Sequence, residues 1–234
     1  MWGRAGQRSL ERSALTEAVE QLKRALAQIA ILPGTPPLRR EQIDRQVALI
    51  AALIHVKGYA ASETKAAVKD ARSLIEQADA LGEYPEDPLL LLVVLNGAWA
   101  GALVGFNGDV VRDLAAEYLT LAERQGTTIP LLHAARVMGI SSLLLGDAER
   151  GRIHLDRAVS LHDPTEYRSS AARFGQDLGV AVLSFRSLAT WVLGYPDASI
   201  TDAAHAVEAA RKADHAASLM YALTVTSWGL INST

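Results

Sequence analysis

Five times along the chain a small residue, a large apolar residue and a second small residue stand at positions i, i+4 and i+7. The copies are Ala18, Leu22 and Ala25; Ala71, Ile75 and Ala78; Ala115, Leu119 and Ala122; Gly151, Leu155 and Ala158; and Ala203, Val207 and Ala210. At 3.6 residues per turn the three positions share one helix face. A neighbouring helix can then approach closely at the small residues, and the large one fills the groove between them. A chain that repeats this device buries it by stacking helix on helix.

The segments between the copies agree. Apolar residues recur at helical spacing over 16–31 and 42–56, and breakers follow at Leu32-Pro33-Gly34-Thr35-Pro36-Pro37 and Lys57-Gly58-Tyr59-Ala60-Ala61-Ser62, where Gly58 is placed to end one helix and Ser62 to cap the next. Further breaks fall at 84–88, 107–109, 126–130, 146–147, 162–164 and 194–197. Almost no β-branched alternation lies between them, which leaves no strand for a sheet. The expectation is an all-α fold of about eleven helices, an α-solenoid of antiparallel pairs wound as a right-handed superhelix. Half of the residues are hydrophobic but only 6% are aromatic, so Ala and Leu carry the packing.

In a tetratricopeptide repeat the second helix carries Ala, a large residue and Ala at this spacing, and the first carries Trp, Leu, Gly and Tyr. The chain resembles that pattern best at its start, where Trp2, Ala5, Gly6 and Ser9 precede Ala18, Leu22 and Ala25, and again at Gly139 and Ser142 before Gly151, Leu155 and Ala158. The copies start more than the usual period of about 34 residues apart, so helices or turns are longer than standard. The expected repeats are 1–37, 38–86, 87–128, 129–164, 165–214 and a partial 215–234, forming a single domain. The chain opens inside a first helix and closes with one at 216–231, as if cut from a longer array, so apolar surface and self-association are expected at the ends.

Four segments also resemble the repeat region that follows the catalytic modules in bacterial adenylate/guanylate cyclase–AAA ATPase–tetratricopeptide signalling proteins. They are Ala5-Gly6-Gln7-Arg8-Ser9-Leu10, Lys57-Gly58-Tyr59-Ala60-Ala61-Ser62-Glu63, Arg173-Phe174-Gly175-Gln176-Asp177 and Trp191-Val192-Leu193-Gly194-Tyr195-Pro196-Asp197-Ala198. The resemblance implies a non-catalytic scaffold that receives a protein or peptide, with the ATPase or cyclase modules as partners. A small-molecule sensor and a gene fragment without a role of its own are the alternatives.

Composition removes several other functions. The net charge is -3 and there is no cysteine, which leaves no phosphate-tracking basic block and no thiolate chemistry, and argues against nucleic acid. There is no Gly-x-x-x-x-Gly-Lys-Ser/Thr loop and no His-Glu-x-x-His pair among the six histidines, so no cofactor, metal or catalytic residue is assigned. The uncharged run 88–108, with Gly97, Gly101 and Gly105, reads as a buried repeat helix rather than a membrane span. No signal peptide opens the chain, which suits the cytoplasm. The remaining polar cluster, Arg173, Gln176 and Asp177, is the expected contact for a partner or effector; Tyr59, Trp99, Trp191 and Trp228 read as packing residues.

Overall fold

A computed structural model describes residues 2–12, 14–83, 87, 89–162, 177–214 and 216–231, without the side chains of Glu11 and 228–231. Eleven α-helices lie among them: α1 (Trp2–Glu11), α2 (Leu15–Ala30), α3 (Pro36–Lys57), α4 (Ser62–Ala80), α5 (Leu90–Val104), α6 (Gly108–Gln125), α7 (Thr128–Leu144), α8 (Ala148–Leu161), α9 (Leu178–Val192), α10 (Pro196–Lys212) and α11 (Ala216–Ile231). The described residues contain no strand. The fold is all-α, a solenoid of antiparallel helix pairs of the tetratricopeptide-like kind.

The chain divides into two compact units, Met1–Val110 and Val111–Thr234. In the first, α1 packs on α2, α2 on α3, α3 on α4 and α4 on α5, while α1 also touches α3 and α3 touches α5. In the second, the same order runs through α7, α8, α9, α10 and α11, with α7 also touching α9 and α9 touching α11. Contact between alternate helices is what stacked hairpins produce, because each first helix lies beside the next first helix. The core of the first unit gathers Ala18 and Leu22 of α2, Leu49, Ile50 and Leu53 of α3, Val68, Ala71 and Ile75 of α4, and Val94 of α5.

Glycine sets the closest approaches. A Cβ on Gly6 would stand 2.7 Å from Leu22 Cγ, and one on Gly139 would stand 2.6 Å from Leu155 Cγ and 3.1 Å from the Gly151 carbonyl oxygen. Two hairpins, one in each unit, thus use one device: a first-helix glycine seats the large residue of the second helix. All four outer positions of the third and fifth triplets, Ala115, Ala122, Ala203 and Ala210, are buried, whereas the central Leu119 and Val207 are half-buried. Tyr118 and Ala206, one residue earlier, take the fully buried central place there.

Several local expectations shift. The proline-rich break spans only 31–35, because Pro36 and Pro37 occupy the first turn of α3, where a missing N–H and a fixed φ are tolerated, and Thr35 is the N-cap. The helix expected over 42–56 therefore starts six residues earlier. Ser62 is the first residue of α4 rather than its cap, and the turn is tied instead by the Thr64 hydroxyl donating to the Gly58 carbonyl at 2.9 Å. The uncharged run forms α5, fifteen residues long and so roughly 22 Å. It buries Leu95, Asn96, Gly97 and Trp99, and no helix among the described residues is long and apolar enough to cross a membrane. At the ends, α11 exposes Met220 and Leu223, while α1 exposes Arg4, Gln7 and Arg8.

Among the described residues, four helices end in the same left-handed turn, in which one N–H bonds back three residues and the next bonds back five. The turn residue is Gly82 after α4, Gly146 after α7 and Gly194 after α9, but Phe106 after α5, at φ 53°. A side chain there costs roughly 1 kcal/mol, and Phe106 is 96% exposed, so no packing offsets the strain.

Two substitutions test this reading by chemical denaturation. An interior helix glycine replaced by alanine ordinarily gains up to about 1 kcal/mol; Gly139→Ala is expected to reverse that sign and destabilise by about 1–3 kcal/mol, because Leu155 and the Gly151 backbone cannot both retreat. Phe106→Gly is expected to stabilise by about 0.5–1 kcal/mol.

Candidate functional site

The most polar interior is in the second unit. Among residues of α6 and α7, Tyr118, His133 and Arg136 are buried to 1% exposure or less. The Tyr118 and His133 rings stack at 6.4 Å between centroids with planes 26° apart. Burial raises the Tyr118 phenol pKa, against the opposing pull of Arg136. Burial also pushes the His133 imidazole well below its ordinary value, and the nearby Arg136 charge pushes the same way. Tyr118 and His133 are therefore both neutral near pH 7, leaving Arg136 as the cation of the group. No deprotonated nucleophile arises from this set; it offers donors and a fixed positive charge.

A second polar layer joins α8, α9 and α10. The Arg186 guanidinium donates through Nε to Asp202 Oδ2 at 2.8 Å and through a terminal nitrogen to Asp202 Oδ1 at 2.5 Å, with Asp156 of α8 at 3.4 Å. Asp202 is nearly buried, and the bidentate geometry is what makes a carboxylate tolerable there. Beside it the Ser199 hydroxyl donates to the Ser187 carbonyl at 2.8 Å. This layer locks neighbouring hairpins in register.

The expected contact cluster is split. Arg173 and Gln176 lie outside the described residues, as does the Trp228 side chain. Asp177 is the N-cap of α9: its Oδ1 accepts from the Val180 N–H at 3.0 Å, and its own N–H donates to the Ser218 hydroxyl of α11 at 2.8 Å. Against the first turn of α9 lies His162, whose ring atoms stand 2.6 Å from where a Gly179 Cβ would be. Trp2 lies under the Arg24 guanidinium at 5.0 Å, Trp99 is buried, and Tyr59 and Trp191 are half-buried.

The Tyr118, His133 and Arg136 group was absent from the sequence-based assignments. A signal exists: His133 and Arg136 interrupt an otherwise apolar run of α7 at i, i+3, where an exposed helix would carry its polar residues on the opposite face. The Arg186–Asp202 pair has no such signal, since its members sit on different helices. In the first unit, a cleft of about 330 Å³ between α1 and α2 is lined by Arg8, Ser9, Arg12, Glu17 and Gln21. Among the described residues no three His, Asp or Glu side chains converge as metal ligands.

No family model and no curated protein matches the sequence. Among solved structures, the Rap conjugation gene regulator of the plasmid pLS20, in complex with the Phr* peptide, superposes with a TM-score of 0.62 at 16% identity over 90% of this chain. The likeness is one of fold, a tetratricopeptide-like stack of helix pairs. The chain spans about half of that protein, 52% of its length.

A pH dependence follows from His133. Its folded pKa lies below the unfolded value of about 6.5, so the unfolded state alone gains a proton as pH falls below that value. Stability is complete above about pH 6.5 and declines on acidification. His133→Phe, which keeps a ring beside Tyr118, is expected to lose about 1 kcal/mol less than the parent between pH 7.5 and 5.5, read from urea denaturation at both values.

Proposed function

We propose that this chain is a non-catalytic regulatory scaffold that binds a peptide or an extended segment of a protein. The observation that carries the reading is the fold. Stacked hairpins match, over nine-tenths of the chain, a regulator captured with a peptide, and such stacks expose long surfaces lined by successive helices. The chemistry described above agrees, since Tyr118, His133 and Arg136 are closed off from solvent and the Arg186–Asp202 pair is engaged in holding helices together.

The segment leading into α9 is the proposed contact, through Arg173 and Gln176, with Asp177 fixing the helix start. The resemblance to cyclase–ATPase signalling proteins supports a modular setting in the cytoplasm, in which the bound segment belongs to an ATPase or cyclase module.

Panning a random peptide display library on the immobilised protein, followed by calorimetry on the recovered sequences, tests the reading. A saturable one-to-one complex of micromolar affinity is expected, weakened at least fivefold by Arg173→Ala or Gln176→Ala with the melting temperature unchanged. Failure to recover any saturable ligand would sink it.

A further inference from the structure

The dipeptide Asn-Gly occurs twice, at Asn96-Gly97 and at Asn107-Gly108. It carries a chemistry of its own. The glycine backbone nitrogen can attack the amide carbon of the asparagine side chain and close a five-membered ring, because glycine turns freely and has no Cβ to crowd the approach. The place of asparagine among the thermolabile residues rests largely on this reaction.

The fold treats the two copies oppositely. Asn96 and Gly97 lie buried in the middle of α5, where the Gly97 N–H belongs to the helix ladder with Val93 four residues back. A Cβ on Gly97 would already stand 3.4 Å from Val68 and 3.7 Å from Ile50, so the backbone there has no room to turn. The closed ring needs an asparagine ψ far from the helical value. At Asn96 it would break both the ladder and the packing.

Asn107 is exposed and stands between α5 and α6, outside both. It follows Phe106, which holds the left-handed turn at φ 53°. Its Oδ1 accepts from the Val110 N–H at 3.5 Å, the outer limit of a hydrogen bond, and the side chain makes no other among the described residues. Gly108 is the first residue of α6, where an N–H has no carbonyl of its own helix to bond. The attacking nitrogen is therefore uncommitted, and α6 need not unwind when it reacts.

We propose that Asn107 is a site of spontaneous deamidation in the folded protein and that Asn96 is not. A solvent base takes the Gly108 N–H proton, the nitrogen bonds to Asn107 Cγ, and Nδ2 departs with a proton as ammonia. Water then adds to one of the two ring carbonyls. Breaking the new N–Cγ bond gives aspartate. Breaking the bond from that nitrogen to the Asn107 main-chain carbonyl carbon gives isoaspartate, whose backbone runs through Cγ and is one atom longer. In balance, an amide and a water become a carboxylic acid and ammonia. Aspartate caps a helix as well as asparagine does and places negative charge at the positive end of α6, whereas isoaspartate lengthens the turn from which α6 starts. The site stands independently of the peptide reading above.

The test holds the intact, folded chain at physiological temperature and mildly alkaline pH, and follows digests over time by chromatography and mass spectrometry that resolve aspartyl from isoaspartyl peptides. Asn107 is expected to convert at least tenfold faster than Asn96 and to yield both products. In denaturing urea the two asparagines should convert at similar rates, since only the fold distinguishes them. Gly108→Ala should slow conversion of Asn107 at least fivefold with helical circular dichroism unchanged. The proposal is overturned if the folded protein converts Asn107 no faster than Asn96. It is equally overturned if aspartate is the sole product, the outcome of direct amide hydrolysis without a ring. Both of these readouts use the parent chain and need no variant to fold.

Discussion

Close contact between paired helices depends on a side chain that is missing. Gly6 and Gly139 leave room for Leu22 and Leu155 to sit against the first-helix backbone, at distances where even a methyl group would intrude. Helix axes approach in proportion to the side chains between them, so this absence sets the spacing of the hairpin. The spacing in turn lets alternate helices touch, as α1 does α3 and α7 does α9. The apolar gain is then spread over many small contacts rather than one large core, which suits a chain rich in Ala and Leu and poor in aromatics.

Polar residues supply register where apolar packing is permissive. Alanine faces can slide past one another at little cost, whereas the forked Arg186–Asp202 contact holds only in one alignment of α9 and α10. Asp177 does the same for α9 and α11 by capping one and bonding to the Ser218 hydroxyl of the other. In the first unit, Arg39 at the start of α3 holds Glu83 after α4 through two donors, and Glu83 titrates below its ordinary value because of that contact. The two arginine pairs tie the helices of one hairpin together, and the Asp177–Ser218 bond ties one hairpin to the next.

Most of the architecture was legible in the residues. The i, i+4, i+7 triplets and the Gly-Asp and Gly-Tyr-Pro turns mark helix faces and ends, because helical periodicity and left-handed turns each demand particular side chains locally. Boundaries were less legible where a residue can serve two roles. Pro36 and Pro37 stop a helix from one side and start one from the other, and the surrounding chain decides which. Phe106 carries no mark of a left-handed turn, and only the backbone bonds of Leu103 and Ala102 hold it there. The polar groups were less visible still. Asp177 stood out within a distinctive string but serves as a helix cap, and Tyr118, His133 and Arg136 drew no notice, since a lone polar residue on a helix reads as solvated until its neighbours are in place.

By itself, then, the sequence determined the class of fold, the helices and the contact rule between members of a pair, because all three follow from interactions within about two turns of chain. The tertiary structure decided which residues 15 to 41 positions apart meet: Arg186 with Asp202, Asp177 with Ser218, Tyr118 with His133. It also decided which charges are spent inside the molecule and which remain outward. Burial and pairing are properties of an environment, and no single helix carries its environment with it.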